Sequence, residues 1–234
     1  MQFKVITYNI MSCREYKNIK NINPILAASV LKKENPDIIG LNEVHGAGGE
    51  FSAQTVEICR ELGYDYCYFC PALFLNGSFY GNALISRYPI LSAERIMVED
   101  PVVKDEKAYY ETRCIIKARI DVGEVITVYV THFGLANAEK KNAVKALLDN
   151  LDGSKTIFMG DLNVMPDNEF LLPIKEVLND TAITSDKSNV SFPSDNPTMK
   201  LDYIFTSKDI KTLSCGTIEN TTSDHYPYFA EIEI

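Results

Sequence analysis

Short apolar runs recur along this chain, and one after another they stop on an acid, an amide or an imidazole. "VITY" ends at Asn9, "DIIGLN" at Glu43, "VITVYVT" at His132, and "TIFMG" at Asp161 and Asn163. "LDYIF" opens on Asp202, and "SDHYP" sets Asp224 and His225 just ahead of the last apolar run. Runs of this length bounded by turn residues read as buried strands. A surface loop needs polar residues, but not in this repeated order. In layered α/β proteins, functional groups gather at strand ends, where loops meet over a rigid scaffold. If these tips share one edge, the fold brings distant strands together around one acidic pocket that holds two imidazoles.

The remaining segments supply the layers. "NPILAASVLKKENP" reads as a helix with Asn23 as N-cap, Pro24 at its first position and Asn35-Pro36 as its stop. A second helix is expected over about 52–62, ending at Gly63, and a third over 137–151 with Val144, Leu147, Leu148 and Leu151 inward. A weaker helix near 167–178 contains Pro173, which is expected to break it. "YDYCYF" and "NALIS" read as strands, and "YYETRCIIKARI", "DVG" and "EVITVYV" as an antiparallel hairpin. In the final run, "YFAEIEI", Ala230, Ile232 and Ile234 fall on one face. Hairpins and crossovers are mixed, unlike the regular alternation of a doubly wound sheet. The expected class is therefore α/β, with two mixed, mostly antiparallel sheets packed face to face and helices outside.

No linker, charge block or repeat divides the 234 residues, so a single domain over 1–234 is expected. The N-terminus enters a strand directly and no run has the length of a membrane span, which reads as a cytoplasmic protein, taken to be a monomer. Cys67 and Cys70 form a C-x-x-C, but residues three apart on a strand point to opposite faces, so buried, inert thiols are the reading. The formal net charge of −9 disfavours a tight, non-specific grip on nucleic acid, which depends on neutralising many phosphates. A small or singly engaged phosphate stays open, especially with a bound cation.

Neighbouring carboxylates repel and raise each other's pKa, and a hard divalent cation relieves the repulsion. Mg²⁺, or Mn²⁺ in its place, takes oxygen ligands and often rests on only one or two carboxylates. Two histidines beside it suit proton transfer near neutral pH. These parts fit metal-assisted hydrolysis of a phosphate ester. A G-x-S-x-G elbow and an H-E-x-x-H helix are both missing from the sequence.

In this order, "TYN", "GLNEV", "YGNALISRYP", "THFG", "GDLN", "LDYIF" and "SDHYP" resemble the endonuclease/exonuclease/phosphatase superfamily, from Asn9 to His225. The resemblance implies the four-layered α/β sandwich of the DNase I-like proteins. It also implies that Asn9 and Glu43 hold the divalent metal, with Glu43 the direct ligand and Asp224 a further acidic position near metal and water. Asp161 and Asn163 match the pair that orients the attacking water and the phosphoryl oxygens. His225 matches the imidazole at the phosphate, Asp202 its carboxylate partner, and His132 the second histidine that stabilises charge or assists the leaving group. Asn82 falls where the superfamily often has a polar residue near the phosphate. Met11 stands where the abasic-endonuclease branch has an acid, and that branch lacks the histidine matched by His132. The closer match is to the nuclease, sphingomyelinase and phosphatase branches.

Blander readings accompany these. Glu111 and Arg113 share one face of their expected strand, as a surface ion pair or with Arg113 as a fork donor to substrate phosphate; both stay open. The aromatics Phe69, Phe74, Phe79 and Tyr80 read as core packing, with the lining of a substrate rim as the alternative, and His45 as a loop or rim residue without chemistry. The expected activity is Mg²⁺-dependent hydrolysis of a small phosphodiester or phosphomonoester, with a nuclease as the alternative. A non-catalytic, cation-dependent binding module would be marked by loss of a motif histidine or of Asp161, and all are present.

Overall fold

The structure, a computed structural model, describes residues 1–104, 107–184 and 189–234. Its strands are β1 (Gln2–Asn9), β2 (Arg14–Glu15), β3 (Asn18–Ile22), β4 (Ile38–His45), β5 (Tyr66–Leu75), β6 (Ser78–Ser86) and β7 (Ile90–Met97). They continue with β8 (Cys114–Asp121), β9 (Val125–His132), β10 (Thr156–Asp161), β11 (Asn179–Asp180), β12 (Asp202–Thr206), β13 (Lys211–Thr217) and β14 (Tyr228–Glu233). The helices are α1 (Pro24–Glu34), α2 (Gln54–Leu62), α3 (Asn137–Leu148) and α4 (Leu172–Val177).

Two six-stranded sheets form, in the orders β13-β14-β1-β4-β6-β5 and β11-β12-β10-β9-β8-β7. Each is antiparallel except for one central parallel pair, β1 with β4 and β9 with β10. That symmetry of plan positions the site. The C-terminal ends of the parallel pair and the start of an antiparallel neighbour, β14 or β12, come to one edge of each sheet.

Alternation does the packing. Val5, Ile38 and Leu84 of the first sheet meet Ile116, Val128, Ile157 and Ile204 of the second in a core between the sheets. Ile6, Tyr8, Ile39 and Leu41 point the other way, onto Ala27, Leu31 and Ile58 of α1 and α2. Tyr129, Phe158 and Phe205 likewise face Ala143, Leu147 and Ile174 of α3 and α4. The result is the expected four-layered mixed α/β sandwich.

Local signals decide the helix ends. The Asn23 side chain accepts from the Ile25 amide at 3.1 Å, and Asn35 turns left-handed to stop α1. Pro173 does not break its helix. It sits in the first turn of α4, where a missing N–H costs nothing, behind a 3₁₀ turn at Glu169–Leu171. The third helix stops at Leu148, short of Leu151, yet both leucines still pack on the outer cluster.

β8 begins only at Cys114, so Glu111 and Arg113 precede the strand instead of sharing its face. The edge strands β7 and β13 have no continuous apolar run, which is why the sequence reading omits them. Phe74 and Phe79 are not core: they are 65% and 56% exposed, paired edge to face at the β5–β6 tip. Cys70 joins the inter-sheet core while Cys67 packs on the α2 side, and all six cysteines are free. No described helix is long and apolar enough to cross a membrane.

Gly160 sets how closely β9 and β10 approach. Its φ is 152°, and a Cβ there would stand 1.8 Å from the Thr131 carbonyl oxygen. Gly160→Ala must either part the two strands or overpack the core, so a loss of about 3 kcal/mol or more is expected from chemical denaturation. A loss under about 1 kcal/mol, within the range of an ordinary surface change, would show that this contact is not needed.

Candidate active site

The tips converge. Asn9 stands between two carboxylates, donating Nδ2 to Glu43 Oε1 at 3.0 Å and to Asp161 Oδ2 at 3.1 Å. Asp161 Oδ2 also lies 3.4 Å from His132 Nε2 and 3.6 Å from His225 Nε2. His225 Nδ1 meets Asp202 Oδ2 at 2.8 Å, and its ring leans on Phe192 with centroids 4.8 Å apart. Asn163 donates Nδ2 to the Phe133 carbonyl at 3.0 Å, with the same nitrogen 3.1 Å from His132 Nε2. Its own amide donates to Asp161 Oδ1 at 3.0 Å, the Asx-type bond that aims the "GDLN" turn.

A cleft of about 380 Å³ opens over these groups. Glu43, Arg113, His132, Asp161, Asn163, Asp224 and His225 line it. Asn9 and Asp202 lie just beneath, bonded to lining residues. Asn82 is further down: Oδ1 accepts from Asn42 at 2.8 Å and Nδ2 donates to the Cys114 carbonyl at 2.9 Å. It braces the floor and is not among the residues that line the cleft. A larger cavity, about 850 Å³, is lined by Leu148, Leu151, Pro173, Val177 and Leu178 and contains none of the convergent groups.

Local backbone geometry aims several side chains. Glu43 and Asn163 both have left-handed φ, 57° and 51°, and β4 is bulged between Leu41 and Val44. Three residues in a row after Ile10 are also left-handed, Met11, Ser12 and Cys13. Gln54 of α2 ties this turn down, donating to the Ser12 carbonyl at 2.6 Å and accepting from the His45 amide at 2.7 Å. His45 is buried, not on a loop, with Nδ1 2.6 Å from Ser78 Oγ and its ring stacked on Phe51.

Sequence reasoning missed several supports. Asn42 is fully buried and spans the two sheets, donating to the Thr131 carbonyl at 2.8 Å and accepting the Asp161 amide at 2.9 Å. Its signal was present as the Asn of "GLNEV". Ser223 donates to the Asn9 carbonyl at 2.7 Å, fixing the "SDH" turn against β1. Buried Lys200 donates to the Asp202 carbonyl at 2.8 Å between the faces of Tyr203 and Tyr228. Glu111 and Arg113 are an ion pair at 2.7 Å, but with side chains only 9% and 8% exposed they are no surface pair.

Electrostatics follow from burial. Desolvation raises Glu43 to about 7, against the Asn9 bond and with help from Asp224 and Asp161. Asp161 is raised to about 6 by burial, opposed by His225. Burial also raises Asp224. Burial alone would lower His225, but Asp202, Asp161 and Asp224 outweigh it and push it up to about 10. His132 goes the other way, held well below the usual imidazole range by burial and by the charges of Arg113 and His225.

These are carboxylates short of positive charge. Among the described residues no three His, Cys, Asp or Glu side chains group closely enough to hold an ion by themselves. That donor set suits a small hard cation resting on one or two carboxylates and keeping most of its water. Glu43 is the half-buried, cleft-lining carboxylate that could hold it. Asn9 could add Oδ1, which gives one lone pair to the Met11 amide and keeps the other.

The model of the endonuclease/exonuclease/phosphatase family matches residues 6–225. This chain belongs to that family. The family's solved structures share the whole architecture. One from Beutenbergia cavernae is 21% identical, covering 100% of this chain and 72% of its own, with a TM-score of 0.82. A family protein from Leptotrichia buccalis is 22% identical, covering 99% and 100%, with a TM-score of 0.78. A mannosyl-6-phosphatase from Bacteroides thetaiotaomicron is 17% identical, covering 99% and 100%, with a TM-score of 0.77. No curated protein sequence matches significantly. The family is one of phosphoester hydrolases, and its DNase I-like fold is the one described above.

The raised carboxylate gives a stability prediction. Folded Glu43, at about 7 against an ordinary 4.5, holds a proton that the unfolded chain releases between those values. Its favourable contribution is complete below pH 4.5 and is lost as pH rises through 7. Without divalent cation, the melting temperature of the wild type relative to Glu43→Gln is therefore expected to fall between pH 5 and pH 8. Thermal melts in chelator measure it; a difference that grows with pH would contradict the assignment.

Proposed function

We propose that this family member is a divalent-cation-dependent hydrolase of small phosphate esters, acting by in-line attack of water. The observation that carries the reading is the gathering around Asp161: Oδ2 lies 3.4 Å from His132 Nε2 and 3.6 Å from His225 Nε2, and Asn9 links it to Glu43. A phosphorus centre above these groups would have oxygen-stabilising and proton-handling residues on several sides.

Each residue then has a role. Asp161 and Asn163 hold the attacking water. Asp202 accepts the Nδ1 proton of His225, which leaves Nε2 for the pocket. As the water oxygen bonds to phosphorus and the leaving-group bond breaks, the water's proton passes to Asp161, or to His225 Nε2 once the cation's charge has let that ring become neutral, and the leaving oxygen takes a proton from solvent. Glu43, Asn9 and Asp224 would hold Mg²⁺ or Mn²⁺, which supplies Lewis-acid stabilisation of the phosphoryl oxygens. Positive charge there would also offset the carboxylates that hold His225 protonated. His132 stands by as a neutral group beside the developing charge.

A small substrate fits better than a polymer. The chain carries a net charge of −9, and tight binding of long polyanions depends on neutralising many phosphates. The solved relative described as a mannosyl-6-phosphatase agrees with a small phosphomonoester.

His225→Ala is expected to lower kcat by roughly 10³-fold in a protein that still folds, with some loss of melting temperature because buried Asp202 loses its partner, since proton transfer and charge stabilisation both depend on that ring. Unchanged kcat with an intact fold would remove His225 from the mechanism. Mg²⁺ should raise the melting temperature more at pH 8 than at pH 5, because protons compete for Glu43, and Glu43→Gln should abolish the gain. A chromogenic monoester and diester compared with DNA and RNA at several salt concentrations decide the substrate class. Faster turnover of a polymer, falling steeply with salt, would replace the small-ester reading with a nuclease.

A further inference from the structure

Arg113 was open between a surface pair and a substrate fork; it is no surface pair, and although it lines the cleft its terminal nitrogens are turned to Glu111 and His132. Its guanidinium is buried against Glu111, with Nη2 2.7 Å from Oε2. Nη1 lies 3.0 Å from His132 Nδ1. A guanidinium has only donors, so Nδ1 must offer its lone pair. A neutral imidazole with an unprotonated Nδ1 carries its proton on Nε2.

The opposite side of the ring agrees. Nε2 faces Asp161 Oδ2 at 3.4 Å and Asn163 Nδ2 at 3.1 Å, with His225 across Asp161. The Asn163 amide is oriented by its bond to the Phe133 carbonyl, which uses one of its two N–H groups. Its second N–H and the His132 Nε2–H are both donors and cannot satisfy each other. Both would be satisfied by an anionic oxygen placed between them in the cleft.

We infer that Arg113 is a positioning residue that locks His132 in the Nε2–H tautomer, so that His132 and Asn163 form a two-donor cradle for a phosphoryl oxygen. The cradle's use rests on the proposed phosphoesterase reading; the tautomer does not. A neutral Nε2–H stabilises negative charge but is far too weak an acid to protonate a leaving group. Of the two roles the family resemblance left for His132, the lock selects charge stabilisation. Burial and the neighbouring cations, which hold the imidazole neutral, act in the same direction.

The chain has three histidines, so long-range ¹⁵N–¹H correlation spectra of uniformly ¹⁵N-labelled protein resolve each ring. Histidine variants assign them. The wild-type spectrum at pH 7 is expected to show His132 protonated on Nε2 alone, and to stay so at pH 5.5. A proton on Nδ1, or an imidazolium at pH 7, overturns the inference whether or not the protein hydrolyses phosphate esters.

In Arg113→Met the ring's titration should move up toward the usual imidazole range, and the neutral ring should gain Nδ1 protonation. Arg113→Lys, which keeps a donor, should restore the wild-type tautomer. Glu111→Gln, which keeps the guanidinium, should leave it unchanged; a switched tautomer in that variant would mean that Arg113 is not the lock. On whichever ester the wild type turns over, Arg113→Met is expected to lower kcat by roughly 10- to 100-fold and to add a new ionisation to the pH profile between about 5 and 8. A changed spectrum with unchanged kcat and profile would retain the lock and discard the cradle. Absence of wild-type hydrolysis would instead count against the proposed function.

Discussion

Three carboxamides tie the halves of this site together, Asn9, Asn82 and, with two bonds across, Asn42. Asn42 belongs to the first sheet, yet it donates to the Thr131 carbonyl and accepts the Asp161 amide, both in the second. Sheet-on-sheet packing by apolar side chains is broadly tolerant of small slides, because the hydrophobic effect is not directional. Hydrogen bonds are directional, and a buried one left unmade costs about 1–3 kcal/mol. Asn42 turns a permissive contact between layers into a fixed register, placed directly under the reacting groups.

That register matters because the two layers contribute different parts. Asn9, Glu43, Asp224 and His225 come from the first sheet or its connections, while His132, Asp161, Asn163 and Asp202 come from the second. Asp161 is the junction, reached by Asn9 from one side and by both imidazoles from others. The electrostatic result is a division of labour between two histidines. Carboxylates around His225 favour its charged form, whereas Arg113 and burial keep His132 neutral. Two rings of identical chemistry are set to different protonation states by what lies behind them.

Much of this was written in the order of residues. Each buried run ending in a polar side chain announced both a strand and a candidate group, because buried polar residues at strand ends are costly unless used. The helix signals at Asn23, Pro24 and Gly63 were equally local and equally legible. What stayed hidden depends on neighbours distant in sequence. Asn42 could not be separated from a surface amide without knowing that Thr131 lies opposite. Asn82 matched a motif but is consumed by bonds to Asn42 and Cys114. Glu111 and Arg113 were misplaced because alternation continued past the true start of β8. Edge strands β7 and β13, half exposed, never produced an apolar run to read.

The single parallel pair in each sheet has a further consequence. Because strand polarity delivers the chemistry to one rim, the opposite rim receives connections such as Val122–Glu124 and Ser207–Ile210, which contribute no group to the cleft. Exposed positions of those turns, such as Glu124 and Lys208, can change while the chemistry keeps its geometry, whereas Val122 and Ile210 stay held by the inter-sheet core. Variety among proteins built this way can therefore accumulate at the far rim with little effect on the reaction.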